Sequence, residues 1–73
     1  MDRRMAIEHL LQAEGFVRLG RDHITLQTNI IGRLERQGLD ATGARRLLAT
    51  YLDMQKSHEA HRDRLRRELS EGP

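Results

Sequence analysis

A chain of 73 residues forms one small domain, residues 1–73, and a domain of this size buries only about 60% of the surface that its unfolded chain exposes. It contains no cysteine, which excludes a disulfide, a thiolate metal site and a catalytic thiol. Thirteen basic and 11 acidic side chains are interspersed and leave a net charge of +2, which excludes a strongly basic or acidic surface.

The first residues of the chain and its overall hydropathy bear on its location. Residues 1–5 are charged and lack the apolar stretch of a secretory signal. No run approaches the roughly 18 apolar residues of a membrane span. We therefore expect a soluble, cytoplasmic protein that does not interact with membranes, and the absence of cysteine fits a reducing compartment.

Apolar residues recur at helical spacing from the start of the chain and predict a first helix over about residues 3–37. Gly15, Gly20 and Gly32 each weaken a helix by about 1 kcal/mol relative to Ala, so we expect them to mark a bend or a close approach of the helices. The stripe consists of Leu10, Ala13, Val17, Gly20, Ile24, Gln27, Ile31 and Leu34.

A tight turn over residues 38–40 and a second helix over about residues 41–69 follow. Gly38 can adopt the left-handed conformation that ends a helix, and Asp40 can accept hydrogen bonds from the free N–H groups that open the next one. We expect residues 70–73 to fray. The apolar stripe of the second helix consists of Ala44, Leu47, Leu48, Tyr51, Met54, Gln55, His58, His61, Arg62, Leu65 and Leu69.

The predicted fold is therefore all-α, an antiparallel two-helix hairpin. With the turn near residue 39, residues whose numbers sum to about 78 to 80 should face each other. This register places His58 opposite Gly20, which leaves room for the imidazole, and Tyr51 opposite Gln27.

Two helices alone cannot enclose a core, because each covers only one side of the other. Four leucines lie off the main stripes, namely Leu11, Leu19, Leu26 and Leu52. A second copy of the hairpin could bury them, so we predict a homodimer that forms a four-helix bundle with coiled-coil packing.

Polar residues interrupt the apolar stripes midway along the hairpin and towards its open end. One interpretation is a polar layer that fixes the register and the oligomeric state. The other is a metal site, because His58 and His61 lie one turn apart and could bind zinc or another divalent ion together with His23 or Glu14. Protonation of the same histidines could instead make the bundle a pH sensor.

Two basic segments raise the question of anions. Arg45 and Arg46 lie in the first turn of the second helix, where we expect pairing with Asp40 or Glu35 rather than a bound anion. Four arginines give the second helix a basic end, but acids interrupt it and few aromatic residues are present for stacking. Nucleic-acid binding is therefore the weaker alternative. The four are Arg62, Arg64, Arg66 and Arg67.

Three segments of the chain resemble a group of short uncharacterised α-helical hairpin proteins from rhizobia and related alphaproteobacteria. They are residues 34–40, 44–51 and 58–65, the last with the pattern His-x-x-His-Arg-x-Arg-Leu, and the stretch 34–65 over which they extend is about half of the chain. The resemblance implies a helical hairpin of bacterial, cytoplasmic origin. It implies no activity and no site residues.

These observations lead to three hypotheses of function. The first is a small non-enzymatic interaction module that self-associates and presents its faces to a protein partner, with no catalytic residues and no cofactor. The second is a metal-binding or pH-sensing bundle that uses the histidine layer. The third is an accessory protein that binds nucleic acid weakly through the basic end of the second helix.

Overall fold

The computed structural model of the chain describes residues 2–71, which form two helices, α1 (Arg3–Arg36) and α2 (Thr42–Glu71). The helices pack against each other as an antiparallel hairpin whose Cα atoms extend over 57 × 14 × 13 Å. The prediction of an all-α hairpin is confirmed. Helix α1 runs without interruption through Gly15 and Gly20.

The end of α1 is fixed by the glycine that the sequence indicates. Gly38 has a φ of 69°, in the left-handed region. Its N–H donates to the carbonyl of Glu35 at 3.1 Å, and the N–H of Leu39 donates to the carbonyl of Leu34 at 2.9 Å. This pair of bonds is the Schellman motif, which satisfies carbonyls that a helix end leaves free.

Asp40 organises the start of α2. Its carboxylate accepts hydrogen bonds from the backbone N–H of Thr42 at 3.0 Å and from the Thr42 hydroxyl at 2.7 Å. These two bonds, with a smaller contribution from the charge of Arg45, hold the pKa of Asp40 below its ordinary value of 3.8, and desolvation opposes them. The role predicted for Asp40 is therefore confirmed.

The far end of α2 differs from the prediction of a frayed tail over residues 70–73. Ser70 and Glu71 belong to the helix, and the Ser70 hydroxyl donates to the carbonyl of Arg67 at 3.1 Å. Gly72 and Pro73 lie outside the described residues. The helix therefore continues two residues beyond the predicted end at residue 69.

The core between the helices is small, and alanine makes up half of its buried apolar residues. Two glutamines, Gln27 and Gln55, are buried with them. The stripe predicted for α1 is buried or half-buried throughout, but Leu47, Met54 and His61 of the α2 stripe are exposed. Helix α1 is thus too narrow to cover the whole stripe of α2. The buried apolar residues are Ala6, Ala13, Val17, Ile31, Ala41 and Leu65.

The register differs from the predicted one at the middle of the hairpin. The Gln55 amide, rather than the His58 imidazole, lies against Gly20. Tyr51 lies against His23, one turn before the predicted Gln27. Gln27 instead donates to the backbone carbonyl of Ala44 at 3.0 Å. Ion pairs at the edge of the hairpin still follow the predicted register, since the numbers of Glu14 and Arg66 sum to 80.

Within residues 2–71, neither α1 nor α2 has an apolar stretch of the length that crossing a membrane requires.

Candidate functional site: two grooves of the hairpin

An apolar groove runs between the helices along one side of the hairpin and encloses about 270 Å³. Gly20 and Gln55 form its floor, where the Gln55 side chain packs against the glycine. The side chains along its walls are large and, apart from two imidazoles and a phenol, apolar. They belong to Phe16, Leu19, His23, Tyr51, Met54 and His58, and we call this surface the apolar groove.

Two histidine–aromatic pairs cross the apolar groove from helix to helix. Phe16 stacks on His58 with ring centroids 5.6 Å apart and an angle of 14° between the planes. His23 and Tyr51 lie 5.5 Å apart at 35°. Each pair joins α1 to α2, so the imidazoles contribute ring surface to the packing of the hairpin.

Gln55 links the floor of the apolar groove to the backbone of α1. Its Nε2 donates to the Val17 carbonyl at 2.8 Å, while its Oε1 is buried without a hydrogen-bond partner among the described residues. A Cβ at Gly20 would lie 2.8 Å from Cδ of Gln55 and closer still to Oε1. Gly20 is therefore required because this amide occupies the space of a side chain. Gln27 makes the reciprocal contact, from α1 to the Ala44 carbonyl of α2.

A second groove, which we call the arginine cleft, has the opposite chemistry and a volume of about 360 Å³. Arg66 bonds to Glu14 across the helices at 3.3 Å, and Arg62 bonds to its neighbour Asp63 at 3.0 Å. Only 14% of the Arg62 side chain is exposed. Residues of both helices line the cleft, namely Glu14, Val17, Arg18, Arg21, Arg62 and Arg66.

The two grooves lie on opposite sides of the hairpin. Val17 is 2% exposed and faces α2. Phe16 precedes it and lines the apolar groove, whereas Arg18 follows it and lines the arginine cleft. At about 100° per residue, these two side chains leave the helix about 200° apart. The hairpin therefore has one apolar and one basic side.

The structure separates the four residues predicted to bind a metal. His58 stacks on Phe16 and His23 on Tyr51, in the apolar groove, while Glu14 pairs with Arg66 in the arginine cleft. His61 is exposed. Among residues 2–71, no group of three His, Asp or Glu side chains is arranged to hold a metal ion. The zinc alternative stays a prediction without geometric support.

The predicted pairing at the turn is observed. Arg45 forms an ion pair with Glu35 of α1, and both side chains are about half exposed. The charge of Arg45 is thus offset within the chain, at a position where surface pairs contribute little to stability. Arg46 forms no ion pair among residues 2–71, so the prediction holds for Arg45 alone.

The sequence analysis did not predict that two arginine pairs would line one cleft. It treated Arg62 and Arg66 as part of a basic helix end and gave no role to Arg18 and Arg21 of α1. The i, i+4 spacing of Arg62 and Arg66 and the i, i+3 spacing of Arg18 and Arg21 place each pair on one face of its helix. In the antiparallel register, these spacings bring the four arginines to one side of the hairpin.

Comparison of the chain with protein-family models, curated proteins and solved structures finds no significant match. The resemblance to short alphaproteobacterial hairpin proteins stays a prediction, and functional arguments rest on the two grooves.

Proposed function

We propose that the chain is a small non-enzymatic interaction module that self-associates, with a second copy of the hairpin seated in the apolar groove to form a four-helix homodimer. The observation that carries this proposal is the exposure of large apolar side chains beside a core half made of alanine. Leu19, Leu26 and Met54 are 51%, 60% and 49% exposed. The apolar side chains that face solvent are thus larger than the alanines that make up half of the core.

The chain exposes more surface than a compact monomer of its mass, and this excess is about as large as one partner's share of a dimer interface. A compact monomer of 8.5 kDa has an accessible surface of about 4,650 Å² by the usual scaling of area with mass. This chain has 5569 Å². The excess of about 900 Å² matches the roughly 800 Å² that each partner buries in a standard interface. A second copy could therefore bury the excess, provided that it packs along the apolar groove.

The chemistry of the apolar groove supports a helical occupant with the same surface. Its lining carries no formally charged Asp, Glu, Lys or Arg, as expected of an interface centre. A two-fold axis through the groove would pair it with itself, since an isologous interface uses the same patch on both subunits. Phe16 and Leu19 of one copy would then lie against the groove of the other, in the manner of helices in a bundle.

Leu19→Glu tests the proposal, with Leu52→Glu as the matched control. The two leucines are 51% and 44% exposed. Leu19 lines the apolar groove. On α2, His58 lies three residues after Gln55 and also lines the groove, whereas Leu52 lies three residues before Gln55. These two side chains leave α2 on opposite sides of Gln55, so Leu52 points away from the groove. The interface proposed here therefore contains Leu19 but not Leu52, although the sequence analysis expected a second copy to bury both. The control introduces the same charge on a leucine of similar exposure outside that interface.

We expect Leu19→Glu to raise the Kd of the dimer at least about a hundredfold, because a carboxylate would be buried without a partner. Leu52→Glu should leave the Kd within about threefold of the unsubstituted chain. Sedimentation equilibrium gives the Kd, and circular dichroism shows that both variants remain helical. A monomeric unsubstituted chain, or equal weakening by both substitutions, would contradict the proposal.

A further inference from the structure

We propose that the arginine cleft binds a compact phosphate dianion, either inorganic phosphate or the phosphate group of a monoester. Four arginine side chains line it, two from each helix, around a space of about 360 Å³. Arginine presents planar N–H groups that match phosphate oxygens two at a time. The proposal does not depend on self-association, because the cleft is complete within one chain.

The cleft carries an excess of positive charge. Its lining holds four arginines and one carboxylate, that of Glu14. Glu14 pairs with Arg66, Asp63 beside the cleft pairs with Arg62, and Arg18 and Arg21 form no ion pair within residues 2–71. Four arginines and these two carboxylates leave a formal charge of +2, which a dianion would neutralise.

Two features prepare the cleft for an anion. The Arg62 side chain is only 14% exposed, so its charge is less screened by water than that of a surface arginine. The hydrogen bond that Arg66 donates to Glu14 at 3.3 Å holds Arg66 across the helices and limits the freedom that its side chain would lose on binding. Glu14 also lines the cleft and repels an anion, so binding has to use the two free arginines of α1.

The size and surroundings of the cleft favour a compact ligand over a nucleic acid. Since a water molecule takes about 30 Å³, the cleft has space for a phosphate and a small substituent. A nucleic-acid backbone presents a row of phosphates and calls for an extended basic strip. Here the arginines outside the cleft are balanced by acids, and the chain has one Tyr, one Phe and no Trp for base stacking.

The test is isothermal titration calorimetry with sodium phosphate and with glycerol 3-phosphate, against sodium chloride at constant ionic strength. The double variant Arg18→Gln/Arg21→Gln removes the two unpaired charges of the cleft. The matched control Arg64→Gln/Arg67→Gln removes two charges from α2, and these exposed arginines do not line the cleft. Neither pair forms ion pairs within residues 2–71, so both double variants should fold.

We expect binding of at least one phosphate ligand, a loss of at least about tenfold in affinity in the cleft variant, and a change of less than about threefold in the control. Tighter binding of the monoester would identify a phosphorylated small molecule as the ligand, and equal binding would identify phosphate itself. Absence of binding, or equal weakening by both double variants, would overturn the proposal. So would binding of a single-stranded oligonucleotide alone.

Discussion

Gly20→Ala is the substitution for which the structure makes the clearest prediction, because intrinsic helix propensity and packing have opposite effects. In an exposed helix interior, Ala is about 1 kcal/mol more stable than Gly. At Gly20, however, the added methyl group would lie 2.8 Å from Cδ and 3.3 Å from Nε2 of Gln55. The Gln55 amide must therefore leave its position, and its bond to the Val17 carbonyl would be lost.

The packing effect should outweigh the gain in helix propensity. A buried polar group that loses its hydrogen bond costs about 1–3 kcal/mol, and forcing a methyl group into a packed contact costs about 1–3 kcal/mol more. After subtraction of the propensity gain, we expect a net destabilisation of about 1–5 kcal/mol. For a domain of this size, each 1 kcal/mol lowers the Tm by roughly 4–8 °C.

Gly15→Ala is the matched control on the same helix. The nearest atom to a Cβ at Gly15 is Nη2 of Arg18 at 4.0 Å, so the added methyl group makes only an ordinary van der Waals contact and should stabilise α1 by about 1 kcal/mol. Urea unfolding, followed by circular dichroism at one protein concentration, measures both variants against the unsubstituted chain. Opposite signs for the two substitutions are the expected result.

A double-mutant cycle isolates the contact itself. In a Gln55→Ala background the obstructing amide is absent, so Gly20→Ala should become neutral or stabilising. The coupling between the two positions should then be at least about 1 kcal/mol. A Gly20→Ala protein as stable as Gly15→Ala, or a coupling near zero, would refute the packing of Gln55 against Gly20 and with it the register of the hairpin.

Two further predictions concern the turn and the histidines. Because the pKa of Asp40 is lowered by its bonds from Thr42, the carboxylate stabilises the hairpin at pH values above 3.8 and loses this effect as pH falls through its lowered pKa. In urea unfolding, Asp40→Asn should therefore be less stable than the unsubstituted chain at about pH 7 and equally stable near about pH 2. A difference in stability that does not change with pH would contradict this role.

His58→Ala should lose about 1 kcal/mol of ring packing on Phe16, whereas His61→Ala should change stability by less than about 0.5 kcal/mol. Native mass spectrometry of protein purified without chelator or metal-affinity tag checks the zinc alternative, since stoichiometric metal that both substitutions remove would make the histidines a site.

The ends of the helices could be predicted from the sequence because each depends on local interactions. Gly38 ends α1 through its own φ and two short-range hydrogen bonds, and Asp40 bonds to a residue two positions away. The apolar repeat of α1 likewise identified its buried face. Information of this kind lies within a few residues, where the physical preferences of glycine and aspartate are well defined.

The register could not be predicted from the turn, because contacts on the two sides of an antiparallel pair follow different sums. Side chains on either side of the helix contact leave each helix in opposite directions, as Phe16 and Arg18 do on either side of the buried Val17. On the apolar side, Tyr51 meets His23, one turn earlier than predicted, while on the other side Glu14 and Arg66 keep the predicted sum. A single sum can describe only one of these sides.

The separation of the two sides also relates the two proposals to each other. Since the apolar groove and the arginine cleft lie on opposite sides of the core, a second copy seated in the groove would leave the cleft of each chain facing outward. Self-association should then change neither the stoichiometry of phosphate, one per chain, nor its affinity. Leu19→Glu and Arg18→Gln/Arg21→Gln should accordingly act independently, since the first alters a groove residue and the second only cleft residues. If dimerisation strengthened phosphate binding, the cleft would have to include residues of both copies, and the apolar groove would not be the interface.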